Sequence, residues 1–376
     1  MVLPEPRPFD SWVLEPPFLP GDQPVGWPEQ PHPSLLMEAL TRHSELKAVG
    51  TARMRGTQKQ KNDLWVNYRN FVRQAMSNFQ AAMGVPNRSS SLLYYYAMLN
   101  FAKAELLSQH HALIIDKKIG HGLSFSPIKA KTVAGDFLTV NTGVFPLLYA
   151  ERTGRQLRHG TRLPLKKLLA AIPEIGAQLD DSGVARSSLT GFDVLFATDS
   201  TEWWLLLRLD DGNLLEESSA TRTQLLKFFT EVKAPGADWR DKFAISRRFP
   251  RGSRFLQSKK SVPSGASGDD LRILLSDISD IYAMESFGDS DALITPYLYK
   301  TKTLVMPPSL ARYAVTYYAS SLVRYRPSAF DADRSPVQAY LFDAVARECA
   351  VPMLIDTLSR LEGRPQLFRH QGSFRL

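Results

Sequence analysis

The chain has 376 residues, 44% of them apolar and 22% charged, a balance that can bury a sizeable core and excludes a wholly disordered polypeptide. Lys and Arg number 46 against 38 Asp and Glu, and the net charge of +8 favours polyanionic partners. The single cysteine, Cys349, excludes intramolecular disulfides and Cys-rich zinc sites, and no apolar run reaches the roughly eighteen residues of a membrane span.

The start, MVLPEPRPFDSW, lacks the charged and apolar regions of a secretory signal, so a cytoplasmic protein without membrane association is expected. Ten prolines fall within residues 1–35 and bar this arm from helix or central strand. Its Phe9, Trp12, Phe18 and Trp27 suit an irregular arm packed on the globule, and its prolines also suit a ligand for a partner domain. LLMEALTRHSELKAV reads as a helix, followed by a basic turn with Arg53, Arg55, Lys59 and Lys61. A long helix is predicted from about Gln58 to Met83, with Leu64, Tyr68, Phe71, Ala75, Phe79 and Met83 in one stripe. Gly84-Val85-Pro86-Asn87 ends it, and Ser89 or Ser90 can cap the next helix, SLLYYYAMLNFAKAELLSQHHAL. That helix is apolar on nearly every side, as in the centre of a bundle. The pair forms an antiparallel helical hairpin.

From about 125 to 265 the character changes. TVAGDFLTVNTGVFPLLYA is β-branched and glycine-punctuated, LPLKKLLAAIPEIGAQLDD reads as one short helix, and GFDVLFATD and EWWLLLRLDDG read as strands. A turn at Asp210-Asp211-Gly212 can lead to NLLEES, TRTQLLKFFTEV is a further short helix, and WRDKFAISRRFPRGSRFLQSKKSVPSGASGDD is a basic loop or boundary. Helical periodicity returns in DDLRILLSDISDIYAMESF, then in Ser309–Tyr325, and in a last helix over Ser335–Leu361 kinked at Pro352. The expected architecture is mainly α, a helical bundle built from both ends of the chain with a small α/β unit inserted. Its parts are an arm (1–35), a first half-bundle (36–124), the insertion (125–265) and a second half-bundle (266–376).

Asn100 and Lys103 stand one turn apart inside an otherwise apolar helix, and a lysine so placed must snorkel, pair or line a pocket. With Tyr95, His121 and Arg324 they fit a polar bundle site, and equally a structural hydrogen-bond network that keeps the helices in register. A second basic set, Arg247, Arg248, Arg251, Arg254, Lys259 and Lys260, is interleaved with Trp239, Phe243, Phe249 and Phe255. Cations for phosphates beside rings for bases suit single-stranded RNA, and a solvated loop anchored by its aromatics has the same letters. Phe287-Gly288-Asp289-Ser290 mimics an esterase nucleophile block, but position 367 is Leu where Asp-x-x-His370 is required. P-loop, dinucleotide and zincin motifs do not occur, and no cofactor or metal is expected.

Arg88–Leu107 followed by His121-Gly122-Leu123, LPLKKLLAAIPEI at 163–175 and SLVRYRPSAF at 321–330 together resemble the YaaC-like family. The tyrosine-rich helix followed by a glycine turn with histidine also looks like the HEPN helical superfamily. The resemblance implies a mostly helical fold, and the HEPN likeness implies RNA binding or ribonuclease activity, often in toxin or antiviral settings. HEPN ribonucleases carry R-x(4–6)-H, the arginine holding phosphate and the histidine activating the ribose hydroxyl. Here the equivalent stretch is Lys117-Lys118-Ile119-Gly120-His121, with lysine for arginine and a shorter spacing. Literal matches, Arg152 to His159 and Arg364 to His370, lie elsewhere. The expected function is therefore RNA or other nucleic-acid association, in a setting such as phage defence or stress response, with a homodimer as one form. A non-catalytic protein-interaction module is one alternative. A metal-independent ribonuclease using His121 with Lys117 or Lys118 is another.

Overall fold

The computed structural model describes residues 4, 25–27, 32–109, 114, 119–125, 132–198, 201–209, 219–233, 254–263, 282–287, 291–299, 306–331, 335–363 and 366–368. In chain order the elements are β1 (Val25–Trp27), α1 (Pro33–Glu45), α2 (Lys47–Gly50), α3 (Gln58–Met83), α4 (Asn87–Ser108), β2 (His121–Phe125), β3 (Phe137–Gly143) and α5 (Val144–Thr153). Then follow β4 (Arg162–Pro164), α6 (Leu165–Ala170), α7 (Gly176–Ser182), β5 (Leu189–Thr198), β6 (Glu202–Leu209), α8 (Ser219–Phe228), β7 (Phe229–Val232), β8 (Arg254–Ser258) and β9 (Val262–Pro263). The last are β10 (Tyr282–Phe287), β11 (Asp291–Tyr299), α9 (Pro308–Tyr325), α10 (Pro336–Glu348), α11 (Ala350–Glu362) and β12 (Gln366–Phe368). The chain is mostly helical, with antiparallel sheets.

Two compact units emerge. One comprises residues 24–187, 286–292 and 306–376, and the other 1–23, 188–285 and 293–305. The divisions differ from 125 and 265: residues 132–187 fold with the helices, because β3, α5 and α6 bury Leu138, Val140, Phe145, Leu148, Leu165 and Leu168 there.

In the helical unit α3 and α4 pack as an antiparallel pair, and α9, α10 and α11 also lie against α4. Helix α3 begins with a capping box, Thr57 and Gln60 each bonding the other's backbone N–H. Its buried stripe is Leu64, Trp65, Tyr68, Val72, Ala75, Phe79 and Ala82, so Val72 and Ala82 stand inside where Phe71 and Met83 were expected. Helix α4 is not serine-capped. It starts at Asn87 after Pro86, and the Ser90 and Ser91 hydroxyls donate to the Asn87 carbonyl inside the first turn. Pro308–Leu322 of α9 is buried throughout, including Arg312, which donates to Glu174, and Ser320 and Ser321, whose hydroxyls donate back to the Tyr317 carbonyl.

Three further expectations are corrected. Pro352 does not kink one helix; it separates two, because its ring excludes the carbonyl four residues back. It sits in the first turn of α11, where an N–H has no intrahelical acceptor. LPLKKLLAAIPEIGAQLDD is likewise broken, into α6, a 3-10 turn at Pro173–Ile175 and α7. Finally, 282–287 is a strand and not helix: it pairs with β11. Ladder pairing overrides a periodicity shared by both element types over so short a run.

In the other unit, the strands follow the order β10-β11-β5-β6-β8-β7, with β9 on β6. Strand β6 lies between β5 and β8, and its Trp204–Leu209 run is buried continuously, as a central strand covered on both faces should be. Pairing of β11 with β5 covers Tyr297–Tyr299, starting just after Pro296, which has no N–H to offer a ladder. The turn predicted at Asp210-Asp211-Gly212 and the NLLEES strand lie outside the described residues.

Candidate functional site

His121 is placed by glycines. It opens β2, antiparallel to β3, where the register shifts between His121 and Leu123. Gly122 has φ +86, and a Cβ there would stand 2.5 Å from Pro146 Cδ. A Cβ on Gly143 would stand 2.4 Å from both the Gly120 carbonyl and the Gly122 nitrogen. Only glycine allows this close crossing, and the resulting bulge turns the imidazole toward α4 and α9.

There it meets a row of rings. His121 lies 4.9 Å from Tyr317, Tyr317 lies 5.2 Å from Tyr95, and Tyr95 lies 5.4 Å from Tyr96, all between ring centroids. Tyr313 edges Tyr95 at 6.2 Å. Tyr95 and Tyr317 are buried, while His121 and Tyr96, at the ends of the row, are each partly enclosed and partly open to solvent. The Tyr317 hydroxyl donates to the Leu123 carbonyl at 3.1 Å, tying α9 to the histidine strand. Among the described residues the buried Tyr95 hydroxyl has no hydrogen-bond partner, a cost that a bonded acceptor would relieve. Burial and neighbouring tyrosines push its ionisation up, so it stays a neutral O–H.

Two cations flank the row. Arg324 lies two turns after Tyr317 on α9, donates to the Ser320 carbonyl and rests over the exposed Tyr325 ring at 5.4 Å. Lys103 shares an α4 face with Tyr96 and Asn100 by its i, i+4, i+7 spacing, and its ammonium sits 5.2 Å above Phe71. Among the described residues no carboxylate pairs with His121, Lys103 or Arg324. Burial, then the charges of Arg324 and Lys103, hold the His121 pKa below its ordinary value; burial lowers that of Lys103.

The tautomer follows from one bond. The Leu123 N–H donates to His121 Nδ1 at 3.3 Å, so the proton of the neutral ring is on Nε2. His121 thus presents a donor at Nε2, and its lone pair is occupied by backbone. That chemistry holds an acceptor and is poorly suited to general-base work.

Of the sequence-predicted site residues, His121, Tyr95, Lys103 and Arg324 come together, while Asn100 is buried on α4 one turn before Lys103. Lys117, Lys118, Arg247, Arg248 and Arg251 lie outside the described residues, as do Trp239, Phe243 and Phe249. In the sheet unit, Arg254 is ion-paired with Glu231 at 3.2 Å and Lys259 donates to the Leu226 and Lys227 carbonyls at the end of α8. Phe255 is buried in the sheet, so it offers no stacking face, contrary to expectation. Arg152 does not hold phosphate with His159: it forms a buried bidentate pair with Glu105 at 3.1 and 2.6 Å and donates to Ser309 Oγ at 2.6 Å. A small cavity of about 30 Å³ beside that pair, lined also by Tyr313 and Asp356, has room for one water. Sequence reasoning missed Tyr317, Tyr313 and Tyr325, although the α9 spacing of Tyr317 and Arg324 at i, i+7 was a signal. Among the described residues no group of three or more His, Cys, Asp or Glu side chains is arranged to hold a metal, and no helix is long and apolar enough to cross a membrane.

The YaaC-like Protein family matches residues 47–333, and the chain belongs to that family. The match spans α2 to the turn after α9 and so includes the whole ring row. Comparison with curated proteins gave no match, and neither did comparison with solved structures.

Proposed function

We propose that this YaaC-like protein is an RNA-associated, HEPN-like helical protein, and that the His121 cluster binds a phosphate of the RNA without cleaving it. The observation that carries the proposal is the grouping of three nitrogen donors, His121 Nε2, Lys103 and Arg324, with no carboxylate among them. Two cations that both disfavour the charged form of one histidine are stabilised when an anion arrives. The Tyr95 hydroxyl, buried without a partner, is one more donor on hand. A net charge of +8 adds long-range attraction for a polyanion. In this proposal the protein works in the cytoplasm within a phage-defence or stress system, as a helical bundle that pairs into a homodimer.

Anisotropy titration of a fluorescein-labelled RNA of about twelve nucleotides tests it. Affinity is expected to fall steeply with added salt, and Arg324→Gln and Lys103→Gln are each expected to weaken binding about three- to tenfold and to flatten the salt slope. No binding at low salt, or an affinity indifferent to salt and to both substitutions, overturns the proposal.

A further inference from the structure

The rings around the cations carry an inference that rests on the RNA reading and narrows it. The geometry points to a recognition surface for unpaired nucleotides, in which Tyr96 and Tyr325 receive bases while Arg324 and Lys103 hold the phosphates between them.

Both tyrosines are exposed, Tyr96 at 38% and Tyr325 at 65%, whereas their neighbours Tyr95 and Tyr317 are buried. Large rings left in water are ordinary singly, but two of them on a cation-flanked row of rings invite a reason. Their hydroxyls do not supply one, for neither makes a side-chain hydrogen bond among the described residues. Their supports are firm: Tyr96 lies against the ring of buried Tyr95, and Tyr325 lies under the Arg324 guanidinium. Each ring is thus backed on one side and open on the other, as a platform for a flat ligand is.

The charge pattern selects the occupant. A protein partner of ordinary composition gains from exposed tyrosine too, but the charges shown beside this ring row are cations, Arg324 over Tyr325 and, with Lys103, near His121. Phosphodiesters alternating with aromatic bases match that alternation of cation and ring. A duplex keeps its base faces stacked inside and can offer only its phosphates, so single-stranded nucleic acid is the fitting class.

Three probes of about twelve nucleotides separate the possibilities: single-stranded RNA, its duplex and an abasic single strand. The expectation is that the single strand binds about tenfold more tightly than the other two. Tyr96→Leu/Tyr325→Leu should remove that advantage while the abasic strand loses no more than about twofold in affinity and the fold is retained, since both side chains reach the surface. If all three probes bind alike, with steep salt dependence and no response to the double substitution, phosphate binding stands and base recognition falls. Failure of every probe removes the RNA reading itself. Preferential binding of a protein in place of all three probes also overturns the inference.

Discussion

The state of a single imidazole connects the site to measurable behaviour. His121 titrates below its ordinary range because burial and two cations disfavour its charged form. Removing one of those cations in Arg324→Gln should therefore move the His121 ring-proton NMR titration upward; an unmoved titration would mean that the guanidinium does not act on the ring. Stability follows from the same direction. Between the depressed folded pKa and the unfolded value near 6.5, the unfolded chain binds more protons. The contribution is complete above that window and is lost as pH falls through it. His121→Gln should accordingly lose less Tm than the wild type between about pH 7 and pH 5. The sequence made His121 visible through its glycine neighbours, but not its tautomer, which a backbone N–H two residues on decides.

At the level of elements, the crossing of β2 and β3 is the most exacting feature. Gly122→Ala forces a side chain into a left-handed conformation and against Pro146, and should cost about 1–3 kcal/mol in chemical unfolding. It should also detach the Tyr317 hydroxyl from the Leu123 carbonyl and weaken anion binding, so stability and binding fall together. The buried Arg152–Glu105 pair is a second test. Glu105→Gln leaves a buried guanidinium without its counter-ion and should cost about 3–5 kcal/mol, while Arg152→Met/Glu105→Leu should restore part of that loss. A double variant no better than the single would show that packing around the pair governs the effect. Helices α3 and α4 were legible because an apolar stripe and the Gly84-Val85-Pro86-Asn87 stop mark them locally. Strand β11 was not, since Pro296 conceals it, and β10 exists as a strand only through pairing with β11. The site residues that converge were legible as polar groups in or beside apolar helices: Tyr95, Lys103 and Arg324 on helices, and His121 beside a glycine. Their tyrosine partners on α9 looked like ordinary core.

For the whole molecule, the helical unit draws its parts from distant stretches of chain. Glu105 of α4 meets Arg152 of α5 and, through it, Ser309 of α9; Arg312 of α9 joins Glu174 to Asp356 of α11. Strand β1 runs parallel to β12, Val25 opposite Gln366, so the beginning and end of the described chain form one ribbon. Hydrophobic periodicity shows that helices exist but not which strands interrupt them, and for that reason the division at 188 escaped a reading based on composition. Synthesis adds its own constraint. Helix α4 leaves the ribosome with only α3 to lie against, and α9 to α11 emerge roughly two hundred residues later, a delay on the order of ten to forty seconds. Through that interval a helix greasy on nearly every side waits half-dressed. Newborn chains of this protein are therefore expected to need a chaperone's shelter, or temporary cover in one another, before the last fifth arrives to close over them.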